Sequence, residues 1–145
     1  METKTMKTVK MDQTALPAIL SRIPTSTPIT MVNFLKYKDN AEYPKGFEAT
    51  PCSGRDGYNR RYIPHTKKCI EEVGGKVVFE GPVHAELIGP PEESWDSVLI
   101  VTYPSIEVFM EMVSAPEHMV LRVHREAALE DSRLIATTAG ALEDI

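Results

Sequence analysis

Tyr58, Tyr62 and His65 follow one another at spacings of four and three, so a helix through them places two phenols and an imidazole on one stripe. Such a stripe can donate protons or hydrogen bonds to a small ligand. Amphipathic packing, with the hydroxyls reaching water, explains the same stripe. Asn33 is the one amide in the apolar run 29–36. A buried amide without partners costs about 1–3 kcal/mol, so this one serves a local network or faces a wet pocket. Pro64 has no N–H to give the Arg60 carbonyl, which should kink the helix beside His65. Residues 36–68 hold eight Lys or Arg against four acids, a local +4 against −9 for the rest of the chain. That suits a small carboxylate or phosphate, with Arg61 at a pocket mouth, and a solvated charged face explains it equally well.

Other chemistries have less to stand on. His84, His118 and His124 show no metal-ligand spacing with one another or with Cys52 and Cys69, so neither metal nor cofactor is expected. The two cysteines read as free thiols in a reducing cytoplasm. Nucleophile elbows, phosphate loops, dinucleotide fingerprints and zincin motifs are missing, and Gly54-Arg-Asp-Gly57 reads as the start of a helix. A net charge of −5 advertises no nucleic acid or anionic membrane as partner. No apolar stretch approaches the ~20 residues of a membrane span, and no apolar run follows the first lysines as in a secretory signal. With 145 residues, 42% apolar and 26% charged, a single domain is expected (1–145), with a loose arm at 1–13, a core at 29–138 and a frayed tail at 139–145.

The pattern that positions the candidate residues is mixed. Thr14 can cap a short helix bearing Leu16, Ile19, Leu20 and Ile23, stopped by Pro24. A strand follows at 29–36, then a Pro- and Gly-rich loop at 38–55, long enough to suggest a lid or arm packed through Tyr43 and Phe47. Ser53 or Asp56 can cap a helix to Val73, closed by Gly74-Gly75. Period-two alternation predicts a strand over 76–88, interrupted at Gly81-Pro82, and another over 97–103. Ser105 caps a helix with Ile106, Phe109, Met110 and Val113 inward, and Pro116 starts one with Met119, Val120, Val123 and Ala127 inward. A last strand runs over 133–138. This order is the βαββαβ pattern of a ferredoxin-like α+β sandwich with an antiparallel sheet. Val98, Leu99, Ile100 and Val101 are apolar on both parities, so the face opposite the helices also needs cover, and a second copy of the chain supplies it economically.

The run Trp95-Asp96, Tyr103-Pro104-Ser105, Phe109, Pro116-Glu117, His124-Arg125, Ala127-Ala128 and Asp131-Ser132-Arg133-Leu134 resembles the DUF1330 family. Asn33-Phe34-Leu35-Lys36, Tyr58, Tyr62 and Gly74-Gly75 echo its N-terminal half, and the His-Arg and Asp-Ser-Arg-Leu stretch is the most specific part. The resemblance covers about 29–138 and leaves the N-terminal helix and the 38–55 loop as additions. It implies a dimeric α+β barrel, two ferredoxin-like sheets face to face, and a homodimer. It does not imply an activity, because the family's function is unknown. Related barrels include cofactor-independent monooxygenases and haem-degrading enzymes, some with an Asn on the first strand and a Trp and a His across the pocket. Asn33, Trp95 and His118 or His124 follow in that chain order.

Two functions are therefore carried forward. One is a pocket between sheet and helix, lined by Asn33, Tyr58, Tyr62 and His65 with Arg61 near its mouth, that binds a small amphipathic or anionic organic molecule without metal. The other is an enzyme of the monooxygenase or haem-degrading type. If the stripe faces water instead, Trp95, Tyr103 and His84 are the next place to look.

Overall fold

The computed structural model describes residues 6–140. The outermost parts of the expected arm and tail, 1–5 and 141–145, lie outside the described residues. Four strands, β1 (Ile29–Tyr37), β2 (Lys76–Pro82), β3 (Ser97–Tyr103) and β4 (Leu129–Thr137), form an antiparallel sheet in the order β2-β3-β1-β4. The helices are α1 (Leu16–Leu20), α2 (Gly54–Asp56), α3 (Ile63–Glu72), α4 (Ile106–Ser114) and α5 (Pro116–Ala128), with a π-helical turn, Gly57–Tyr62, joining α2 to α3. The fold is ferredoxin-like α+β.

The register explains the two faces. Met31 pairs with Val101, Asn33 with Leu99 and Leu35 with Ser97, so odd-numbered residues of β1 and β3 all point to the helices. Ile29, Met31, Leu35, Leu99 and Val101 are buried there. Even-numbered Val32, Phe34, Val98 and Ile100 point the other way and are half-buried. Phe79 of β2 and Ile135 of β4 join that outer face and stand open.

Local chemistry sets the helix ends. Ser53 Oγ accepts from the Asp56 N–H at 3.0 Å, and Ser105 Oγ accepts from the Val108 N–H at 3.2 Å. Gly74, at φ 84°, ends the α3 segment in the left-handed region that favours glycine. Gly54 has a different reason. A Cβ there would lie 2.3 Å from the Lys38 carbonyl oxygen and 2.5 Å from that of Ala128. The chain needs that approach because the Gly54 N–H donates to Lys38 O, whose own N–H donates to Ala128 O.

Several elements differ from the sequence reading. Thr14 does not cap α1; Asp12 Oδ1 instead accepts from the Thr14 N–H at 3.0 Å and the Ala15 N–H at 3.3 Å. Strand β2 stops at Pro82, because Pro82 pairs with Ser97, the first residue of β3, and residues 83–88 have no partner strand left. Val83 and Ala85 turn instead toward Phe34, Trp95 and Val98 on the outer face. Strand β4 starts at Leu129 rather than 133, since Ser132 and Asp131 pair with Leu35 and Lys36 despite their polarity. The inward face of α5 is also rotated. Met119 and Val120 are 55% and 70% exposed, while His118 is buried at 5%. The apolar residues lost that contest because the inner face borders a cavity that accepts polar groups.

Segments without regular structure are nonetheless fixed. The Thr8 N–H donates to Asp131 Oδ1 at 2.9 Å, Thr8 Oγ1 donates to Ser132 O at 2.7 Å, and Ser132 N–H donates to Thr8 O at 2.6 Å. That lays residues 7–10, expected to be loose, along the free edge of β4. In the 38–53 segment Tyr43 stacks on Phe47 with ring centres 5.1 Å apart, and both rings meet the edge of His124.

Candidate functional site

Between the sheet and the helices lies a cavity of about 670 Å³, inside the ~300–1,000 Å³ range of small-molecule pockets. Its floor is Met31 and Asn33 of β1 with Leu99 and Val101 of β3. The π-turn and α3 bring Tyr58, Tyr62, Thr66 and Ile70, four residues each four apart, into one buried line along its wall. A π-turn widens the local helical repeat, which keeps this spacing on one side; such turns recur at functional sites. Pro64 follows at the start of α3, where a missing N–H costs little, so the expected irregularity is the π-turn before the proline. The arm at 8–13 and helix α1 cover the opening.

At the polar end, the Tyr62 hydroxyl lies 3.1 Å from His118 Nε2. Burial raises the Tyr62 pKa, so the phenol is neutral and able to donate. Burial, then the charges of Arg122 and Arg125, push His118 down to about 4, leaving a neutral ring near pH 7. With the phenol O–H donating to Nε2, that ring carries its proton on Nδ1. Nδ1 has no hydrogen-bond partner, although the Val113 carbonyl nearby opposes the downward shift; that carbonyl accepts from Arg122 at 2.6 Å. Thr66 Oγ1 is likewise buried without a geometrically satisfactory partner, despite its closeness to Tyr62. Tyr58 is fully enclosed and its pKa is raised by burial and by Tyr62.

The structure brings Asn33, Tyr58 and Tyr62 to this cavity and leaves Arg61 and His65 out of its lining. Asn33 Nδ2 donates to the Leu99 carbonyl at 3.0 Å, which anchors the amide to the neighbouring strand. His65 is exposed, because the buried line of the helix runs through Tyr62 and Thr66 and places it on the flank. Arg61 faces the 38–53 segment, donating to Tyr43 Oη at 3.2 Å and to Thr50 O at 2.6 Å. The positive charge expected from Arg61 is therefore spent on the loop. Arg122 and Arg125, which line the cavity from α5, supply it instead.

The sequence reading named His118 beside Asn33 and Trp95 but did not group it with Arg122 and Arg125, although their spacing, i, i+4, i+7, marks one helix face. The apolar Met119, Val120 and Val123 of the same helix masked it. Tyr103 does line the cavity, with its ring 5.1 Å from Phe109, whereas His84 is exposed in the 83–96 segment.

Of the grouping Asn33, Trp95 and His118 or His124, Asn33 and His118 both line the cavity, whereas Trp95 and His124 do not. Trp95 packs on Phe34, whose side chain points to the face opposite Asn33, and Arg133 sits 5.0 Å over the indole. His124 is held by Tyr43 Oη at 2.7 Å, away from the cavity lining. Among the described residues no group of three His, Cys, Asp or Glu could hold a metal ion, and no helix is long and apolar enough to cross a membrane.

No protein-family model matches the chain, and no curated protein matches it in sequence. Among solved structures, the fold is shared with SnoaB, a cofactor-independent oxygenase from Streptomyces nogalater. That likeness has a TM-score of 0.50 at 12% identity, over 79% of this chain and 94% of the other. The RPA0582 protein from Rhodopseudomonas palustris, a protein of unknown function, is much more similar. Its methylated form superposes with a TM-score of 0.82 at 32% identity, over 94% of this chain and 97% of that one. A second structure of RPA0582 agrees, at 0.82 and 32% over 93% and 98%. Identity at that level along the whole of both chains means that this chain belongs to the family of RPA0582.

Proposed function

We propose that this protein binds a small amphipathic organic molecule in the cavity between sheet and helices, as a member of the DUF1330 family. One observation carries the reading. A mostly apolar cavity of about 670 Å³ is lined at one end by the hydrogen-bonded Tyr62–His118 pair and by Arg122 and Arg125. A few converging polar groups in an apolar cavity of this size are what fixes the polar end of a small ligand. Tyr62 would orient that end, while Met31, Leu99 and Phe109 would enclose its apolar body. Native mass spectrometry of the purified protein tests this: a co-purifying small molecule, or one taken up from a library, should raise the melting temperature. Tyr62→Phe should weaken its retention. A protein that retains and takes up nothing would refute the reading.

The working unit in this proposal is a homodimer joined through the outer sheet face. Phe79 and Ile135 are 55% and 47% exposed there, beside the half-buried Val32, Val98 and Ile100. A contiguous apolar surface of this kind calls for a partner, and a second copy of the same twisted sheet matches it. The free thiols of Cys52 and Cys69 fit a reducing, cytoplasmic setting.

A further inference from the structure

We infer that the molecule held in the cavity is an anion, an amphipathic carboxylate whose head docks on Arg122 and Arg125. This rests on the cavity being a binding site and adds the class of ligand. His118, Arg122 and Arg125 lie along one face of α5, and all three line the cavity. Arg122 donates to the Val113 carbonyl at 2.6 Å. Arg125 donates to the Val9 carbonyl and, at 3.4 Å, to Ser132 Oγ. All of these acceptors are neutral. Among the described residues no carboxylate forms an ion pair with either guanidinium; Glu126, which also lines the cavity, pairs with Lys10 at 3.6 Å.

Both arginines are half-buried. A charge partly withdrawn from water and given only neutral partners is costly, and an anion relieves that cost best where the site excludes solvent. Each guanidinium has five N–H donors in a planar fork, so the bonds already made leave donors free for a carboxylate. The Tyr62–His118 pair lies in the same lining and can add to the head's hydrogen bonds. The other wall of the cavity is apolar, from Leu99, Val101, Phe109 and Met112, which suits a hydrocarbon or aromatic body.

Calorimetric titration of the full chain with matched probes tests this. Decanoate against decanol, and 2-naphthoate against 2-naphthol, vary the head at constant body and separate aliphatic from aromatic ligands; decyltrimethylammonium reverses the charge. The carboxylate of at least one pair should bind about tenfold or more tighter than its alcohol, as expected of a charge-assisted, partly desolvated contact. Arg122→Gln should reduce that preference to about threefold or less while alcohol affinity stays within about twofold. Arg125→Lys keeps the charge but not the fork, and should lose part of the preference without freeing the arm. Rising salt should weaken carboxylate binding more than alcohol binding, a readout in the unaltered protein. Equal affinity for acid and alcohol, or tightest binding of the ammonium, would overturn the anionic assignment and leave the cavity reading intact. Failure of every probe, together with no co-purifying molecule, would remove both.

Discussion

The hydroxyl of Tyr62, in the π-turn, and Nε2 of His118, in the first turns of α5, stand 3.1 Å apart although 56 residues separate them. That contact ties the two helical segments together across the top of the cavity, with the rings meeting edge to face at centroids 6.0 Å apart. It is the pivot of the site, because each group satisfies the other and both remain neutral near pH 7.

Tyr62→Phe keeps the ring and removes only the hydroxyl. His118 Nε2 would then join Nδ1 as a buried atom without a partner, so the folded state should lose about 1–3 kcal/mol. Urea unfolding should show a lower midpoint with an unchanged slope. His118→Phe, which removes the polar partner and leaves the phenol orphaned, should cost a comparable amount. The double variant should cost less than the sum of the two, and a cycle of the four proteins reads that coupling directly.

The pH dependence follows from His118. Its folded pKa, about 4, lies below the ordinary value of 6.5, so the unfolded chain binds the proton first as pH falls. The contribution is fully present above pH 6.5 and is lost progressively down to about pH 4. A shift of that size is worth on the order of 3 kcal/mol at most. His124 is also held below its usual value, by burial and by the Arg61 and His65 charges, and acts in the same direction. Thermal melts between pH 7 and pH 4 should therefore fall less steeply in His118→Asn than in the unaltered protein, with His124→Asn as the control for the second group.

The fold and much of the wall were legible in the sequence for a simple reason. Strands β1 and β3, and the pair Tyr58 and Tyr62, are written in periodicities that survive folding, whereas His65 falls on the exposed flank. What was not legible depended on partners distant in the chain. The end of β2 at Pro82 follows from where β3 begins, and the polar start of β4 follows from what β1 offers at Leu35 and Lys36. Arg61 read as a ligand group because its neighbours in sequence are cationic; in space it belongs to Tyr43 and Thr50. Helix α5 misled most. Hydrophobicity normally decides which face turns inward, but beside a cavity the inward face can carry His118 and two arginines while Val120 faces out.

Glycine substitutions should separate close approach from backbone freedom. Gly54→Ala would place a carbon within 2.5 Å of two carbonyl oxygens that belong to backbone, which cannot give way as a side chain would. A cost of about 3 kcal/mol or more is expected, by strain and by loss of the bonds that hold 38 and 128 together. Gly46, at φ 89° with nothing within 4 Å of an added Cβ, should lose only about 1 kcal/mol on the same change. Comparison of the two melting temperatures reads the difference.

The outer face makes a prediction about assembly. Ile100 lies in the middle of it, paired with Val32 across β1 and with Phe79 across β2. Ile100→Arg would put a charge at the centre of the proposed interface, where leaving it unpaired costs several kcal/mol, while in a monomer the same side chain reaches water. Light scattering should find the unaltered chain as a dimer at micromolar concentration and the variant as a folded monomer. A monomeric unaltered chain would rule the interface out.

The arm that covers the cavity should govern exchange more than affinity. Its ion pairs, Lys7 with Glu130 and Lys10 with Glu126, have lysines 61% and 72% exposed, and pairs so open to water and salt contribute little. The firmer ties are the bonds of Thr8 to Asp131 and Ser132 and of Arg125 to the Val9 carbonyl. Those are few against the ladders of the sheet, so residues 6–13 should exchange amide hydrogens before β1 or β4 does, through local opening that leaves the core folded. Removal of residues 1–11 would uncover the cavity without removing Tyr62, Thr66, His118 or Arg122. A bound molecule should then dissociate about tenfold or more faster, while its association is altered less, because release is the step that waits for the cover to open. Stopped-flow displacement on the two chains measures both rates, and equal dissociation rates would show that the molecule leaves by another route.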